Sequence, residues 1–251
     1  MPTFRHGKNT VLFSNGYDLT AYLNSVTVTN AVETPETTTF GSSDRSYIVG
    51  HTDGSISFEG LFDGTTYGVT VGSTADGIDK ILKDALGNTT NSVISTSTDS
   101  TSIGGRAVLV DSASTSYEVS SPLTDVVAVS GEAVANNGLD YGIWLGCKVA
   151  ATGTSTGTSV DNSASSANGG VAHLHVTANT RSGTTVAKVQ HSADNSTWAD
   201  LVTFTTVAIG TVTSQRSVVA SGTTVNRYLR ALVTPAAGTG SITFSIAFSR
   251  R

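Results

Sequence analysis

Carboxylate pairs are the first candidates for chemistry in this chain, because two carboxyl groups at the right separation can act as general acid and base. Asp53, Glu59 and Asp63 lie in or beside one predicted strand. At ~3.3 Å per residue, Asp53 and Glu59 are ~20 Å apart and Glu59 and Asp63 are ~13 Å apart, both beyond the ~5–9.5 Å that a glycosidase pair needs. We therefore interpret these three side chains as a solvated strand face.

Histidines are the next candidates. His173 and His175 are two positions apart, so a strand points both side chains the same way, and His191 lies on a predicted neighbouring strand. Three imidazoles on one sheet face can hold a metal ion. We favour ordinary polar strand positions, because no carboxylate lies close in sequence to orient such a site. The single cysteine, Cys147, follows Trp144 closely and is interpreted as a small core residue.

The rest of the sequence shows no evident arrangement of catalytic residues. It contains no phosphate-binding loop, dinucleotide fingerprint or H-E-x-x-H motif. Its many Ser and Thr hydroxyls have no evident activating base beside them. We therefore predict that the protein is not an enzyme and that it has no catalytic residue, cofactor or metal.

Aromatic residues of the second half are candidates for contact with a ligand on the exterior. Arg227 and Arg230 flank Tyr228, and Trp198 follows a polar turn, so the four residues can form a stacking platform for a sugar or a nucleic acid. The alternative is that both rings are core residues with surface charges beside them. Large aromatic residues in small sandwiches usually lie in the core, which favours that alternative.

The elements that must position these residues are mostly strands. Short Val, Ile, Leu and Phe runs between Gly, Asn, Ser and Thr turns predict a mainly β protein. The clearest strand covers residues 51–63, with Ile56, Phe58 and Phe62 on one face. A single helix is predicted over 76–86. Its core stripe repeats at helical spacing and consists of Ile78, Ile81, Leu82, Ala85 and Leu86.

Charge divides the chain in two. Residues 1–150 contain 7 Lys and Arg against 16 Asp and Glu, whereas residues 151–251 contain 7 against 3. The stretch 151–170 is rich in Gly, Ser and Thr and has only Asp161 as a charge, so we predict a flexible linker. On this basis 1–150 is one domain, and 171–251 is a second, independently folding all-β sandwich.

The elements of residues 10–148 follow a definite order. A long polar loop leads into the strand at 45–64, the helix 76–86 follows, and further strands cover 105–111, 122–132 and 138–141. This order resembles that of the major tail tube proteins of long-tailed phages. The resemblance implies a β-sandwich or barrel with one flanking helix. It also implies a homo-oligomer whose subunits close into rings, typically hexameric, that stack into a tube and join other tail proteins.

The same resemblance assigns a role in ring stacking to the loop 33–50, which the sequence alone predicts to be mobile or used for contact. Its candidate contact residues are Glu33, Glu36, Phe40, Asp44, Arg45 and Tyr47. Many members of the family carry an extra immunoglobulin-like domain on the tube exterior, and residues 171–251 are similar to such a domain in architecture, although they contain no cysteine.

The acidic charge of the first half agrees with a channel that passes DNA without binding it, since phosphate binding depends on Lys and Arg. The basic second half would then lie outside, where host surface polysaccharide is its expected contact. The N-terminus lacks the apolar run of a signal peptide and no window is long and apolar enough to insert in a membrane, so we expect assembly in the host cytoplasm into the virion tail. The alternatives are a head decoration or head–tail joining protein, and a carbohydrate-binding or adhesin module.

Overall fold

The computed structural model describes residues 6–65, 76–88, 90–98 and 100–251, and these fold as a mainly β protein with two antiparallel sheets. The described part contains one α-helix, α1 (Ile78–Ala85), and a short 3₁₀ turn at Gly7–Asn9. Its strands are β1 (Val11–Ser14), β2 (Tyr17–Asp18), β3 (Leu23–Val32), β4 (Thr52–Leu61), β5 (Ser92–Ser97), β6 (Arg106–Ser120), β7 (Ala128–Ala151), β8 (Ser155–Thr156), β9 (Val160–Asp161), β10 (Gly170–Asn179), β11 (Thr185–Ser192), β12 (Ala199–Thr203), β13 (Thr213–Val219), β14 (Tyr228–Pro235) and β15 (Ile242–Arg250).

The larger sheet has the order β13-β10-β15-β7-β6-β5-β1-β2, and the hairpin β3–β4 attaches to β7 through β4. The smaller sheet has the order β12-β11-β14-β8, with β9 also paired to β14. Strand β7 links the two ends of the molecule. Its first residues pair with β4 and β6, and its last residues, from Ile143 to Ala151, pair with β15.

The buried side chains form three clusters. Leu12, Val108 and Val110 pack with the helix in a first cluster, the helix core. Ile143 lies on the same side of the larger sheet as Val108, and it packs with Leu145 against the strands of the smaller sheet in a third cluster, the C-terminal core. The second cluster, the middle core, draws on both halves of the sequence. It consists of Val11, Phe13, Ala107, Leu109, Trp144, Val171 and Ala247.

Burial of the predicted apolar stripe is confirmed for most of its residues. Ile78, Ile81, Leu82 and Ala85 are buried. The prediction for Leu86 is wrong: α1 ends at Ala85, Leu86 has an extended backbone, and its side chain is 42% exposed. Opposite the helix, the Tyr117 hydroxyl donates to the Asp79 carboxylate, and burial together with that carboxylate raises the pKa of Tyr117 above its ordinary value.

The first hairpin, β1–β2, brings one end of the larger sheet against β13, the strand at its other end. Asn15 and Gly16 form the β1–β2 turn, both with positive φ, as the Asn-Gly pair predicts. A Cβ built on Gly16 would lie 2.7 Å from the backbone nitrogen of Thr213 in β13. The turn therefore packs directly on the C-terminal part of the chain, and this position requires glycine for both its φ and its space.

The segment 151–170, predicted as a flexible linker, is instead hydrogen-bonded along its length. β8 and β9 pair with β14, and the amide of Ser166 donates to Val225. Gly, Ser and Thr are also the residues of tight turns and short edge strands, which is why composition alone gave a different expectation.

The two halves of the chain also share one sheet and one core, so 171–251 does not form the separate body that was expected. The opposite charges of the halves meet at this junction. Arg216 lies 3.8 Å from Asp111, and Arg251 lies 3.0 Å from Asp140. The charge difference seen in the sequence therefore contributes, in part, to attraction between the halves.

Candidate functional site: assembly surfaces

The first half of the chain carries a sheet face built by four strand segments: β3, β4, residues 128–134 of β7 and residues 113–120 of β6. Residues directly opposite one another in antiparallel strands point to the same side of a sheet. One row across the four segments is Thr27, Ser57, Glu132 and Ser116, and the next is Ser25, Glu59, Ser130 and Glu118. All eight side chains are exposed or half-buried, while Ile56 and Phe58 point to the helix core on the other side.

This acidic face contains carboxylates and no cation. The four segments hold Asp53, Glu59, Glu118 and Glu132 and not one Lys or Arg. Asp53 and Glu59 are exposed and lie several rows apart, in agreement with the prediction of a solvated strand face. Asp63 lies beyond the end of β4, where hydrogen bonds from Thr65 hold the pKa of its carboxyl below the ordinary value. A surface of this kind repels a polyanion.

Both lateral edges of the acidic face are open within the described residues. Strand β3 pairs only with β4. On the far side, residues 115–120 of β6 pair with β7 and have no second neighbouring strand among the described residues. Open edges expose backbone N–H and C=O groups that can pair with another chain.

The predicted loop 33–50 is a hydrogen-bonded hairpin arm that continues β3 and β4 beyond the sheet. Glu33 exchanges backbone bonds with Gly50 and His51, and Glu36 pairs with Tyr47. The sequence did not predict this hairpin, because polar residues at a two-stranded tip need no apolar alternation. The arm is nonetheless highly exposed. Its exposed apolar side chains are Phe40, Tyr47, Ile48 and Val49, and Val32, the last residue of β3, is exposed at its base.

Phe40 lies at the tip of the arm, beside the turn in which the amide of Ser42 donates to Thr39, and its side chain is fully exposed. Asp44 and Arg45 are also exposed, on the returning side of the arm. All six residues predicted for ring stacking, Glu33, Glu36, Phe40, Asp44, Arg45 and Tyr47, are thus brought onto one projecting element.

A second exposed apolar group, the base patch, lies at the opposite end of the acidic face. It surrounds the end of β4 and the connection from β6 to β7, where Leu61 pairs with Ala128 and the amide of Phe62 donates to Val127. Its members are Leu61, Phe62, Val119, Leu123 and Val126. The prediction that Phe62 shares the buried face of Phe58 is wrong, because β4 ends before it. The ten residues of β4 separate patch and arm by ~30 Å.

The exterior aromatic candidates lie on the outer surface of the smaller sheet and not in its core. The Arg230 guanidinium lies 4.0 Å from the centre of the Trp198 ring, and the Arg227 guanidinium lies 5.0 Å from that of Tyr228. Both rings are half-buried, so the favoured interpretation as core residues is wrong. Arg227 also forms a two-pronged ion pair with Asp161, and Arg230 donates to Gln190.

The residues that could hold a metal or act as a nucleophile are not arranged for either task. His191 lies on β11 in the smaller sheet, away from His173 and His175 on β10. Within the described residues no three His, Cys, Asp or Glu side chains converge as a metal site. Burial raises the pKa of Cys147 to about 11, which keeps it a thiol at neutral pH.

Residues 153–157 read Gly-Thr-Ser-Thr-Gly and match the G-x-S-x-G motif of a nucleophile elbow. A nucleophile elbow requires a strand, a sharp turn and then a helix. Here Ser155 begins the short strand β8 and pairs with Val233, so the match has no elbow geometry.

Comparisons with known proteins assign the chain to no family. No protein-family model matches it, and no curated protein matches it. Among solved structures, it is similar to a protein of the virion of a native gene transfer agent particle, at 16% identity and a TM-score of 0.40, over 55% of this chain and 98% of that one. It is also similar to the Dit protein of phage SPP1, a hub of the adsorption apparatus, at 10% identity and a TM-score of 0.38, over 96% and 98%.

A third similar structure is the baseplate of phage p2 in its activated conformation, at 9% identity and a TM-score of 0.32, over 96% of this chain and 98% of the matched one. The three proteins come from virion, hub and baseplate assemblies. Their TM-scores are too low to mark a shared fold, so the likeness assigns no function to this chain. No helix among the described residues is long and apolar enough to cross a membrane.

Proposed function

We propose that the chain is a non-enzymatic structural subunit of a phage tail tube, which forms rings through the open edges of its acidic face. The observation that carries this proposal is the combination, on one sheet, of two open edges with a polar face that lacks any cation. The four segments are joined by antiparallel pairs only. Because their number is even, β3 of one copy would also run antiparallel to β6 of the next.

Such edge-to-edge contact is heterologous, so it closes into a ring when the rotation between copies divides a full turn. The acidic face would line the channel, and the helix core would lie outside it. Four carboxylates per subunit and no Lys or Arg would let DNA pass without binding.

Stacking of rings would use the two apolar surfaces at opposite ends of the sheet. The arm of one ring, with Phe40 at its tip, would contact the base patch of the next ring, where Leu123 is fully exposed. Burying both surfaces removes apolar side chains from water, which favours a head-to-tail stack. Contact of Trp198 and Tyr228 with host surface polysaccharide, and contact with other tail proteins, remain predictions.

Electron microscopy of the purified full chain tests this proposal. We expect rings and tubes from the unaltered chain, and rings that do not elongate from Phe40→Asp and from Leu123→Asp. Ser42→Asp, which adds the same charge to an exposed polar residue of the arm, is the control and should still form tubes. A chain that stays monomeric at all concentrations by light scattering would refute ring formation, and tubes of normal length from Phe40→Asp would refute stacking through the arm.

The channel assignment has its own measurement, the binding of a labelled DNA duplex in low salt. The unaltered chain should not bind, and the variant with Glu59, Glu118 and Glu132 all changed to Lys should gain binding that weakens steeply with added salt. Binding of DNA by the unaltered chain would contradict a channel role for the acidic face.

A further inference from the structure

A chain of hydroxyl and imidazole groups is buried beside the middle core. Ser214 Oγ lies 2.7 Å from His175 Nδ1, and Ser95 Oγ lies 2.8 Å from His175 Nε2 and 3.0 Å from His173 Nδ1. Neither imidazole is exposed to solvent. His173 Nε2 has no hydrogen-bond partner within the described residues.

This chain of groups crosses the seam between the two halves of the protein. Both histidines belong to β10, whereas Ser95 belongs to β5 in the first half. The ring of Phe13, on β1, stacks on His175 with 5.6 Å between ring centres. The packing of β10 against β1 and β5 therefore depends on two neutral imidazoles.

Protons can reach the buried pair from one side. Ser214 is half-buried and lines a groove of about 410 Å³ between α1 and β13. Ser214 lies opposite His175 in the pairing of β10 with β13, and its hydroxyl is hydrogen-bonded to the His175 ring. The bonded groups thus lead from the groove through His175 and Ser95 to His173.

The carboxylates on the surrounding strands are each paired with a cation. From β13, Arg216 lies opposite His173, and its partner Asp111 of β6 is 3.8 Å away. From β7, Lys148 lies over Phe13 and pairs with Asp18 of β2. The remaining neighbours are uncharged: Ser95 on β5, Phe13 on β1, Ser245 and Ala247 on β15, and the Cys147 thiol on β7.

Burial, with repulsion from His175 and Arg216, lowers the pKa of His173 well below its ordinary value, and burial lowers the pKa of His175 to about 3. The two rings are 6.2 Å apart, so a second proton would also be repelled by the first. A buried charge without a partner is among the most destabilising changes a core can undergo.

We propose that His173, His175 and Ser95 form an acid-sensitive latch, in which protonation of the two histidines opens the seam between β10 and the β1–β5 pair. The sign follows from linkage. The open form binds protons below about pH 6.5 and the closed form does not, so acid favours opening. Each histidine contributes up to about tenfold in the opening constant per pH unit.

Hydrogen exchange of the full chain, with rates corrected for the intrinsic effect of pH, tests the latch. Between pH 5.5 and 4.5 the amides of β1, β5 and β10 should lose nearly a hundredfold in protection, about tenfold for each histidine. Amides of the β3–β4 pair should change far less. The double variant His173→Asn with His175→Gln should lose this pH dependence, and the control His51→Gln, at an exposed histidine, should retain it.

Two results would overturn the latch: seam amides whose protection does not change down to pH 4.5, or a double variant that opens at the same pH as the unaltered chain. A measurement on the unaltered chain covers the case in which the double variant does not fold. In the histidine NMR spectrum, both buried rings should stay neutral until the seam opens. Reversible titration of either ring near pH 6.5 in the closed protein would refute the proposal.

Discussion

Leu82 and Leu86 provide a matched pair for testing how the helix packs, because they are the same residue one turn apart and the sequence places both on one apolar stripe. Leu82 is 7% exposed and belongs to the helix core, whereas Leu86 is 42% exposed and follows the last helical residue. Leu82→Ala removes side-chain atoms from a packed site and leaves a cavity, a change that costs about 3 kcal/mol in comparable cores. Leu86→Ala removes partly solvated atoms and leaves no enclosed cavity, so about 1 kcal/mol or less is expected.

Thermal unfolding followed by circular dichroism measures both variants under one set of conditions. For a chain of 251 residues, 1 kcal/mol corresponds to about 2–4 °C, so Leu82→Ala should lower the melting temperature by about 6–12 °C and Leu86→Ala by less than about 4 °C. Equal shifts for the two variants would refute the end of the helix at Ala85. A negligible shift for Leu82→Ala would show that α1 is not packed on the sheet.

Three further perturbations follow from the described contacts. A chain ending at Ala151 exposes the middle core, so we expect it to be recovered mostly as insoluble protein. Two separate domains would instead allow the truncated chain to fold and form tubes. A soluble product that unfolds cooperatively would contradict the shared core. Gly16→Ala should destabilise the protein by several kcal/mol in urea unfolding, because the new methyl group meets the β13 backbone, whereas Gly87→Ala, with positive φ and open space, should cost about 1 kcal/mol. Tyr117→Phe leaves the buried helix carboxylate without its donor and should cost about 1–3 kcal/mol in the same assay, and an unchanged midpoint would show that this hydrogen bond contributes nothing.

Local pattern was sufficient for the buried sides of α1 and β4. The period of Ile78, Ile81 and Leu82 predicts the buried side of α1, and the alternation around Ile56 and Phe58 predicts which side of β4 is buried. These signals depend only on near neighbours along the chain, so they can be read without knowledge of the fold.

The arrangement of the candidate surfaces could not be predicted in the same way, because it depends on pairing between distant segments. Nothing local indicates that Ser95 meets His175, or which distant strands cover Trp144 and Leu145 on the two sides of β7. The hairpin of the arm gives no apolar alternation, because its two-stranded tip buries no side chains. The usual place of large aromatic residues in small sandwiches favours the core for Trp198, and nothing near it in sequence indicates that Arg230 covers its ring on the surface.

Strand β7 imposes a rule of parity on this protein. Its 24 residues contribute side chains to all three cores: Val129 and Ala133 to the helix core, Trp144 to the middle core and Leu145 to the C-terminal core. Because side chains alternate along a strand, one inserted or deleted residue between Ala133 and Trp144 would exchange the sides of everything beyond it and direct Trp144 toward the wrong core. Changes of length in this stretch are therefore tolerable only in twos, or when a bulge absorbs the odd residue. The length of β7 between the acidic face and the C-terminal sheet can therefore change in evolution only by two residues at a time, or by one residue together with a bulge.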